Sequence, residues 1–321
     1  MRHALVTGAS GFIGRELCAV LRARGVKVCA LQRSCTPGPW HDCVAVDLAR
    51  GAPESAWLAG IDTVFHLAGY AHAHGDDDEA VHQAVSVHGT RHLLAACGEQ
   101  VQRIVYASSV KAMCERTPAQ CLDEDAPANP QSAYGRARRD AEVLLLAAAP
   151  RLHAAVVRLP LVYGPGVRGN LHEMLRAVAA GRMPLLPDLA NRRSLVHVRD
   201  ACDALIAAAL TPGARGRVYL ITDGRHYSSR QIQDLMYAAC GRAPPRLGVP
   251  RAVLGLAAAA GDLLHVLGPT RVPFDSARLA RLRDHACFDC SRARRELGYA
   301  PRHGLADALP AMFAALDEHA S

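Results

Sequence analysis

Three evenly spaced glycines between an apolar run and a helical pattern constrain this sequence more than any other feature. The segment Thr7-Gly8-Ala9-Ser10-Gly11-Phe12-Ile13-Gly14 follows the apolar residues 4–6. Apolar side chains then recur at helical spacing, at Ile13, Leu17, Val20 and Leu21. A strand that turns directly into a helix leaves the first backbone N–H groups of that helix without partners, and these groups attract an anion. The motif therefore predicts a phosphate-binding turn.

Each glycine of this turn has a separate predicted role. Gly8 permits the tight turn, Gly11 lets the backbone approach phosphate, and Gly14 lets the helix pack against the strand. The spacing is G-x-x-G-x-x-G rather than the commoner G-x-G-x-x-G. We expect the turn to hold a dinucleotide pyrophosphate through Gly8, Ser10, Gly11, Phe12, Ile13 and Gly14.

The end of the second predicted strand, residues 26–31, bears on the choice of cofactor. An acidic residue there would hold the 2′-hydroxyl of NAD, but this chain has Gln32-Arg33. An arginine can pair with the 2′-phosphate of NADP, so Arg33 favours NADP over NAD. The alternative is a solvated loop arginine.

Further apolar runs alternate with helical stretches as far as about residue 160. Asp47-Leu48 follows the run 44–46 and is placed to reach the adenine, and Leu67-Ala68 marks the exit of the run 64–66. This alternation predicts an α/β fold, a Rossmann-type doubly wound parallel sheet. We expect residues 1–165 to form the dinucleotide-binding domain. Residues 166–321 are expected to be mainly a smaller substrate-binding domain, with some segments returning to the first.

A hydroxyl pair and a tyrosine supply candidate proton-transfer groups downstream. They are Ser108-Ser109 and the segment Tyr134-Gly135-Arg136-Ala137-Arg138. Residues at i and i+4 of a helix share one face, so Arg138 would lie on the same side as Tyr134. Such a set suits hydride chemistry at an alcohol or ketone.

In this ordered series the chain resembles the extended short-chain dehydrogenase/reductases, and most of all their nucleotide-sugar epimerases, dehydratases and 4-ketoreductases. The matching segments span nearly the whole chain: the glycine turn, Asp47-Leu48, His66-Leu67-Ala68, Gly89-Thr90, Ser108-Ser109, Tyr134, Arg158 to Pro165, Asn170-Leu171 and Arg193.

The resemblance implies roles for the downstream residues. Ser109 and Tyr134 would hydrogen-bond the reacting oxygen, with Tyr134 as acid or base. Arg138 stands where the family has a lysine that holds the nicotinamide ribose and lowers the pKa of the tyrosine. Arginine keeps the charge but binds its proton too firmly to join a proton relay. Another departure is Ser86, where the family usually has asparagine.

The resemblance also implies a nucleotide-sugar site in the second half. Asn170 would contact the sugar nucleotide, and Arg193 would bind the diphosphate, which suits the planar fork of its guanidinium. Arg278, Arg281 and Arg283 all compete as the second phosphate ligand. Dehydration is disfavoured, because Val110-Lys111 occupies the place of the Asp-Glu pair that this reaction needs.

These observations favour an NADP(H)-dependent reductase of a 4-keto sugar carried on a nucleotide. Three alternatives stay open. One is a UDP-sugar 4-epimerase that retains NAD, and another is a cofactor-binding protein weakened in catalysis by Arg138. The third is a reductase of small ketones or lipids, against which Asn170 and Arg193 argue.

Charge and hydropathy exclude several other classes. The net charge of +7 suits anionic substrates, but the basic residues form no stripe with interleaved aromatics, which argues against nucleic acid. The apolar stretch 252–267 is short for a membrane span and is interrupted by Asp262 and His265. The N-terminus lacks a secretory pattern, so we expect a cytoplasmic enzyme. The resemblance implies a homodimer.

Neither metal nor disulfides are expected. His72, His74, His82, His88 and His92 lack a known ligand spacing, and Cys287-x-x-Cys290 has no partner pair. We interpret the histidine-rich segment as a solvated or cofactor-side loop. The odd count of 11 cysteines argues against a disulfide framework.

Overall fold

The computed structural model describes residues 1–70, 78–246, 248–267 and 275–317, without the side chains of residues 265–267, 277, 281 and 317. Its strands are β1 His3–Thr7, β2 Lys27–Gln32, β3 Asp42–Ala45, β4 Thr63–His66, β5 Arg103–Ser109, β6 His153–Leu159, β7 Leu161–Tyr163, β8 Arg193–His197, β9 Val218–Leu220 and β10 His226–Tyr227.

The α-helices are α1 Phe12–Ala23, α2 Glu79–His82, α3 Gly89–Ala96, α4 Ala133–Ala147, α5 Asn170–Ala179, α6 Val198–Leu210, α7 Ser229–Ala239, α8 Arg251–Leu267, α9 Ser276–Arg283, α10 Ser291–Leu297 and α11 Leu305–Asp317. Short 3₁₀ turns lie at Ser55–Leu58, Val110–Ala112 and Pro212–Ala214. Between α2 and α3, Gln83–His88 forms a wider π-helical turn.

The main sheet has seven parallel strands in the order β3-β2-β1-β4-β5-β6-β9. Its central strands are buried on both faces, as their apolar runs predict, and helices cover them on both sides. The first six strands follow the Rossmann order, in which the chain reverses direction across the sheet between β1 and β4. The predicted fold class is confirmed.

The later part of the chain contributes to both sheets. Strands β7 and β8 pair in parallel, and β10 pairs antiparallel with β8 to form a three-stranded sheet. Strand β9 instead pairs with β6 and extends the main sheet. The expected division at residue 165 therefore does not coincide with the division between the two sheets. Strand β7 precedes it but belongs to the smaller sheet, and β9 follows it but belongs to the main sheet.

Helix α8 presents apolar side chains to solvent, with Leu256 72% exposed and Leu263 59% exposed. Across the described ranges, no helix combines the length and the apolar character needed to cross a membrane.

Candidate active site

The glycine turn packs closely against the backbone at the exit of β4. Gly8 has a φ of +67°, and a Cβ there would lie 2.9 Å from the backbone of Leu67 and Ala68 at the exit of β4. A Cβ at Gly14 would overlap the carbonyl oxygen of Gly8. Gly11 closes the turn by donating its N–H to the Gly8 carbonyl at 3.0 Å. Side chains at Gly8 and Gly14 would force the strand, turn and helix apart.

The N-terminus of α1 is open to an anion. Its N-cap residue, Gly11, provides no side-chain hydrogen bond, so the first-turn N–H groups of Phe12, Ile13 and Gly14 have no capping side chain. Ser10 is exposed beside them, and Phe12 and Ile13 are half-buried. The bare helix start and the glycine gaps fit a dinucleotide pyrophosphate.

A buried chain of hydrogen bonds joins β1 to β4 beneath this turn. Thr7 Oγ1 accepts the N–H groups of Leu67 and Ala68 at 3.1 and 3.0 Å, so its own proton goes to His66 Nδ1 at 2.7 Å. His66 is therefore the neutral Nε2–H tautomer, and it donates to Thr90 Oγ1 at 3.1 Å. The exit of β4 is fixed by these bonds.

The chain of hydrogen bonds ends in the π-helical turn. Thr90 Oγ1 donates to the Ser86 carbonyl at 2.6 Å, while the buried Ser86 hydroxyl has no hydrogen-bond partner among the described residues. Burial, assisted by the charge of Arg138, lowers the pKa of His66 to about 3. His66 is therefore structural and uncharged at neutral pH.

At the end of β2, where the adenosine of a dinucleotide is expected, the side chain of Arg33 is exposed and the amide of Gln32 is already hydrogen-bonded. Gln32 is buried at the end of β2, where its amide group contacts Thr36 Oγ1 at 3.0 Å and Cys43 Sγ at 3.5 Å. Arg33 is exposed next to it. Arg15 on α1 lies over the Trp40 ring at 5.8 Å, which brings a second guanidinium toward the loop after β2.

Asp47 and Leu48 follow β3. Asp47 accepts the Ala49 N–H at 3.1 Å and lies 3.5 Å from Arg50. Leu48 is buried, and His92 Nδ1 contacts its carbonyl at 2.7 Å. His92 thus braces this segment.

Ser109, at the end of β5, and Tyr134, in the first turn of α4, lie in segments that contact each other. Ser109 Oγ accepts the Lys111 N–H at 3.2 Å and begins the 3₁₀ turn after β5. A Cβ at Gly135 would overlap the Lys111 carbonyl oxygen, so glycine lets the start of α4 contact this turn. Ser132 Oγ accepts the Gly135 N–H at 3.1 Å and caps α4. The serine and tyrosine segments are thereby brought together.

Two cations and an imidazole surround the ring of Tyr134. The guanidinium carbon of Arg138 lies 5.1 Å from the ring centroid, and Lys111 Nζ lies 5.7 Å from it. The ring of His82 packs edge-on at 5.6 Å. Two side chains that carry positive charge therefore lie beside the phenol ring of Tyr134.

Arg138 is buried, with only 4% of its surface exposed. Its Nη1 donates to Tyr106 Oη at 2.9 Å and to the Ala107 carbonyl at 3.3 Å. Burial alone would lower the pKa of Arg138, but the hydroxyls of Tyr106 and Tyr134 raise it above its usual value. The guanidinium lies where a Cβ of Gly69 would be. Arg138 is consequently a fixed, permanent charge.

A buried ion pair supports the end of β5. Arg158 Nε and Nη2 donate to the two oxygens of Glu142 at 2.9 and 2.7 Å. Ser108 Oγ donates to Glu142 Oε1 at 2.7 Å. Glu142 has no exposed surface, so these bonds fix the backbone that carries Ser109.

The residues predicted to bind the substrate lie at the starts of two elements. Asn170 is the exposed first residue of α5, after Gly169, and Arg193 is the half-buried first residue of β8. Burial lowers the pKa of Arg193, against the opposing charge of Asp284. Arg278 and Arg283 are exposed on α9, whereas the Arg281 side chain is outside the described set.

The histidine-rich segment divides into several environments. His82 is buried against Tyr134, so it is not part of a solvated loop, whereas His88 is exposed. His72 and His74 lie outside the described residues.

The expectation that cysteines stay unpaired is wrong at two places. Cys35 is joined to Cys43, and Cys121 is joined to Cys287. The first pair forms because β2 and β3 run in parallel register, which brings the loop after β2 next to Cys43. The second pair spans 166 residues, a separation at which sequence gives no pairing signal.

Three residues of this site carried no sequence prediction. Gly69 makes room for Arg138, Tyr106 accepts its hydrogen bond, and Glu142 supports Ser108. Gly69 follows a strand as any turn glycine would, and Tyr106 lies within an apolar run. The roles of Gly69 and Tyr106 depend on their contacts with Arg138, which local sequence patterns do not indicate.

Comparisons with known proteins identify relatives of this chain. A model of the NAD dependent epimerase/dehydratase family matches residues 4–222. A 4-hydroxy-2-methyl-3-oxo-4-farnesyl-3,4-dihydroquinoline-1-oxide ketoreductase of Stigmatella aurantiaca is 30% identical, over 94% of this chain and 92% of its own. The UDP-glucose 4-epimerase of Vibrio cholerae is 28% identical over 78% of this chain and 79% of its own.

Among solved structures, MoeE5 in complex with UDP-glucose and NAD superposes with a TM-score of 0.79. It is 26% identical and the match covers 99% of this chain and 100% of MoeE5.

Proposed function

The chain belongs to the NAD-dependent epimerase/dehydratase family, and we propose that it is an NADP(H)-dependent reductase of a nucleotide-activated 4-keto sugar. The observation that carries this proposal is the buried Arg138 guanidinium beside the Tyr134 ring, at 5.1 Å. A fixed charge at this position favours the phenolate that forms when the tyrosine gives its proton to a carbonyl oxygen.

The cofactor would lie along the carboxyl ends of the strands. Gly8, Gly11 and Gly14 leave the gap that a pyrophosphate needs, and the uncapped start of α1 offers its N–H groups. Leu67 and Ala68 line the exit of β4, and Arg138 would hold the nicotinamide ribose with its N–H donors. A nicotinamide dinucleotide bound there supplies the hydride.

Proton transfer is assigned to the residues of β5 and α4. Ser109 would orient the reacting oxygen by donating its hydroxyl proton in a hydrogen bond, while Tyr134 Oη transfers its proton to that oxygen. Arg138 stabilises the resulting phenolate and stays protonated throughout, since its own pKa is raised. The phenolate must therefore recover its proton from solvent.

The preference for NADP is supported by the end of β2. Gln32 is neutral and buried with its amide engaged, so no carboxylate stands there to bind a ribose 2′-hydroxyl. The exposed Arg33 is available to a 2′-phosphate, and Arg15 brings further positive charge near the same loop.

A nucleotide sugar as substrate is supported by Arg193 and Asn170 at the starts of β8 and α5. Arginine suits the diphosphate of such a substrate. The complex of MoeE5 with UDP-glucose supports the same class. As in the family, we propose a cytoplasmic homodimer that binds neither nucleic acid nor membrane.

Two observations favour other reactions. The likeness to the Vibrio cholerae 4-epimerase favours a UDP-sugar 4-epimerase that keeps NAD bound. The likeness to the Stigmatella aurantiaca ketoreductase favours reduction of a neutral, lipid-like ketone. The residues around Tyr134 could serve all three reactions. The three reactions differ in their substrate and in whether the dinucleotide is released after each turnover.

The test is oxidation of NADPH by the purified protein with a UDP-4-keto-6-deoxy sugar, followed by identification of the product. UDP-glucose without added cofactor tests the epimerase, and a long-chain 3-oxo compound tests the neutral-ketone reductase. We expect turnover only with the UDP-4-keto sugar and faster with NADPH than with NADH. Turnover restricted to either other substrate would overturn the proposal.

A fourth possibility is that Arg138 has weakened catalysis. Its hydrogen bonds with Tyr106 and Ala107 make it an integrated part of the site. We therefore expect Arg138→Lys to reduce turnover, because lysine loses the planar fork. A large gain of activity in this variant would identify the chain as a weakened relative.

A further inference from the structure

Three metal-ligating side chains from distant parts of the sequence converge outside the active site. Cys121 comes from the loop between β5 and α4, His226 from β10, and Cys287 from the segment after α9. Their ligand atoms all lie within 4.8 Å of one another. We call these three residues the Cys121 cluster. Cys287 is buried and the other two are half-buried, so the cluster is partly exposed to solvent.

The imidazole contacts both sulfurs, and its Nδ1 lies 3.3 Å from Cys287 Sγ. His226 Nε2 lies 3.5 Å from Cys121 Sγ and 3.7 Å from Cys287 Sγ. Around a tetrahedral zinc ion, Zn–S bonds of ~2.3 Å and Zn–N bonds of ~2.0 Å separate sulfur from nitrogen by roughly 3.5 Å. The two nitrogen–sulfur distances therefore match those of ligands that share one zinc ion.

We infer that Cys121, His226 and Cys287 form a redox-gated binding site for a thiophilic divalent cation, zinc above all. In the oxidised state the two sulfurs are joined to each other and cannot ligate. Two molecules of a cellular thiol reduce the disulfide: they are oxidised to their own disulfide, and their two protons and two electrons leave Cys121 and Cys287 as thiols. These lose two protons as they bind the ion together with neutral His226, and water takes the fourth position.

The surroundings of His226 suit a ligand imidazole. Ser194 Oγ lies 3.4 Å from His226 Nδ1, the nitrogen that also lies near Cys287 Sγ. The same hydroxyl accepts the Phe288 N–H at 2.9 Å, so its position is fixed by the neighbouring segment. An outer-shell hydroxyl of this kind sets the orientation and tautomer of a ligand histidine.

The cluster joins segments that border the proposed substrate site. Residues 285–288 bond to Thr117 and Leu122 of the Cys121 loop on one side and to β8 on the other. Ser194 of β8 donates its N–H to the Ala286 carbonyl at 2.8 Å, directly after Arg193. An ion in the Cys121 cluster would therefore fix the position of Arg193 relative to the loop before Tyr134. This inference revises the sequence-based expectation of no metal, and it does not depend on the proposed reaction.

The test is titration of the reduced full-length protein with Co²⁺, followed by displacement with Zn²⁺. Thiolate-to-cobalt charge-transfer absorption reports sulfur ligation directly and needs no enzymatic activity. The variants are Cys121→Ser, Cys287→Ser and His226→Ala. Cys114→Ser is the matched control, because Cys114 is also half-buried and lies in the same loop but outside the cluster. Thermal unfolding checks that every variant is folded.

We expect one ion per reduced chain, no binding after oxidation, and a thiolate–cobalt band that Cys114→Ser retains. Each cluster variant should weaken binding by more than the roughly 10- to 100-fold typical of outer-shell partners. If the reduced wild-type protein binds no Co²⁺ or Zn²⁺, the cluster is a disulfide only and the inference is wrong. It is equally wrong if Cys114→Ser loses the band, or if all three cluster variants keep it.

Discussion

The Arg138 guanidinium occupies the space that a side chain at Gly69 would need. The two residues are 69 positions apart, and one lies on α4 while the other follows β4. Arginine is bulkier at its tip than the lysine that the family resemblance implies at this position, and the missing Cβ of Gly69 accommodates that tip. The arginine is therefore matched by its surroundings, which include the hydrogen bond to Tyr106.

Gly69→Ala should impair catalysis although residue 69 bears no reactive group. The added methyl overlaps the guanidinium, so Arg138 must move from Tyr134 and Tyr106. Displacing a positioned group by ~1 Å can cost about 100-fold in rate, and we expect kcat to fall by 10- to 100-fold. Gly213→Ala is the control, because nothing lies within 4 Å of a Cβ there. Equal kcat values for the two variants would show that the overlap has no catalytic consequence.

Tyr134→Phe removes the proposed proton donor and leaves the ring in place. General acid catalysis contributes about 10²- to 10⁴-fold, so kcat should fall by that factor. The variant should still bind NADP, because the glycine turn is unchanged. The rise in melting temperature on adding NADP measures this binding. Full turnover by this variant would remove Tyr134 from the mechanism.

Arg33→Ala should raise the Kd for NADP by about 10-fold and leave the Kd for NAD nearly unchanged. A charge-assisted hydrogen bond to phosphate is worth roughly 1.5–3 kcal/mol, and the exposure of Arg33 places it at the low end. Arg22→Ala, at the far end of α1, is the control for the loss of one exposed charge. Titration with both dinucleotides checks the prediction. If the Kd values for NADP and NAD change equally, Arg33 does not bind the 2′-phosphate.

Loss of the hydroxyl should change the free energy of unfolding much less at Ser86 than at Thr90. Ser86 Oγ is buried without a partner in the described structure, so Ser86→Ala should change the free energy of unfolding by less than about 1 kcal/mol. Thr90 Oγ1 links His66 to the Ser86 carbonyl, so Thr90→Val should destabilise by about 1–3 kcal/mol. Urea denaturation measures both. A larger loss in Ser86→Ala than in Thr90→Val would mean that Ser86, not Thr90, holds this helix.

Stability should fall on acidification because His66 is buried as a neutral group. Its pKa is about 3 in the folded protein and near 6.5 when unfolded, so only the unfolded chain takes up this proton in between. The free energy of unfolding should therefore decrease from pH 6.5 toward pH 3, by up to about 1.4 kcal/mol per pH unit from His66.

The corresponding experiment compares unfolding free energies at several pH values for the wild type, His66→Gln and His88→Gln. His88 is exposed, so its replacement should leave the slope unchanged. His66→Gln should flatten the slope between pH 6 and 4.5, whatever its effect on absolute stability. An unchanged slope in His66→Gln would mean that His66 is not held neutral.

The fold could be predicted because its signals are local. The glycine turn, the apolar runs and the helical spacing each concern a few adjacent residues, and together they define the Rossmann order. Helix α1 begins at Phe12, within one residue of the first apolar position of its predicted pattern.

The rest of the site depends on contacts between distant segments. Gly69 is needed only because an arginine is at position 138, and Glu142 matters only because Arg158 and Ser108 meet it. Cys121 and Cys287 have no pairing signal at a separation of 166 residues. Such relations follow from packing in three dimensions, which neither periodicity nor composition encodes.

The wider turn at Gln83–His88 absorbs one residue and keeps the side chains on either side of it aligned. In a regular α-helix, side chains eight positions apart, such as His82 and Thr90, would diverge by ~80° around the axis. One additional residue absorbed in the turn reduces that divergence to roughly 20°, so His82 can contact Tyr134 while Thr90 bonds to His66. A single-codon deletion here would restore an ordinary helix in which the two side chains, now seven positions apart, keep a divergence of roughly 20°. The two contacts should therefore survive the loss of one residue from this turn.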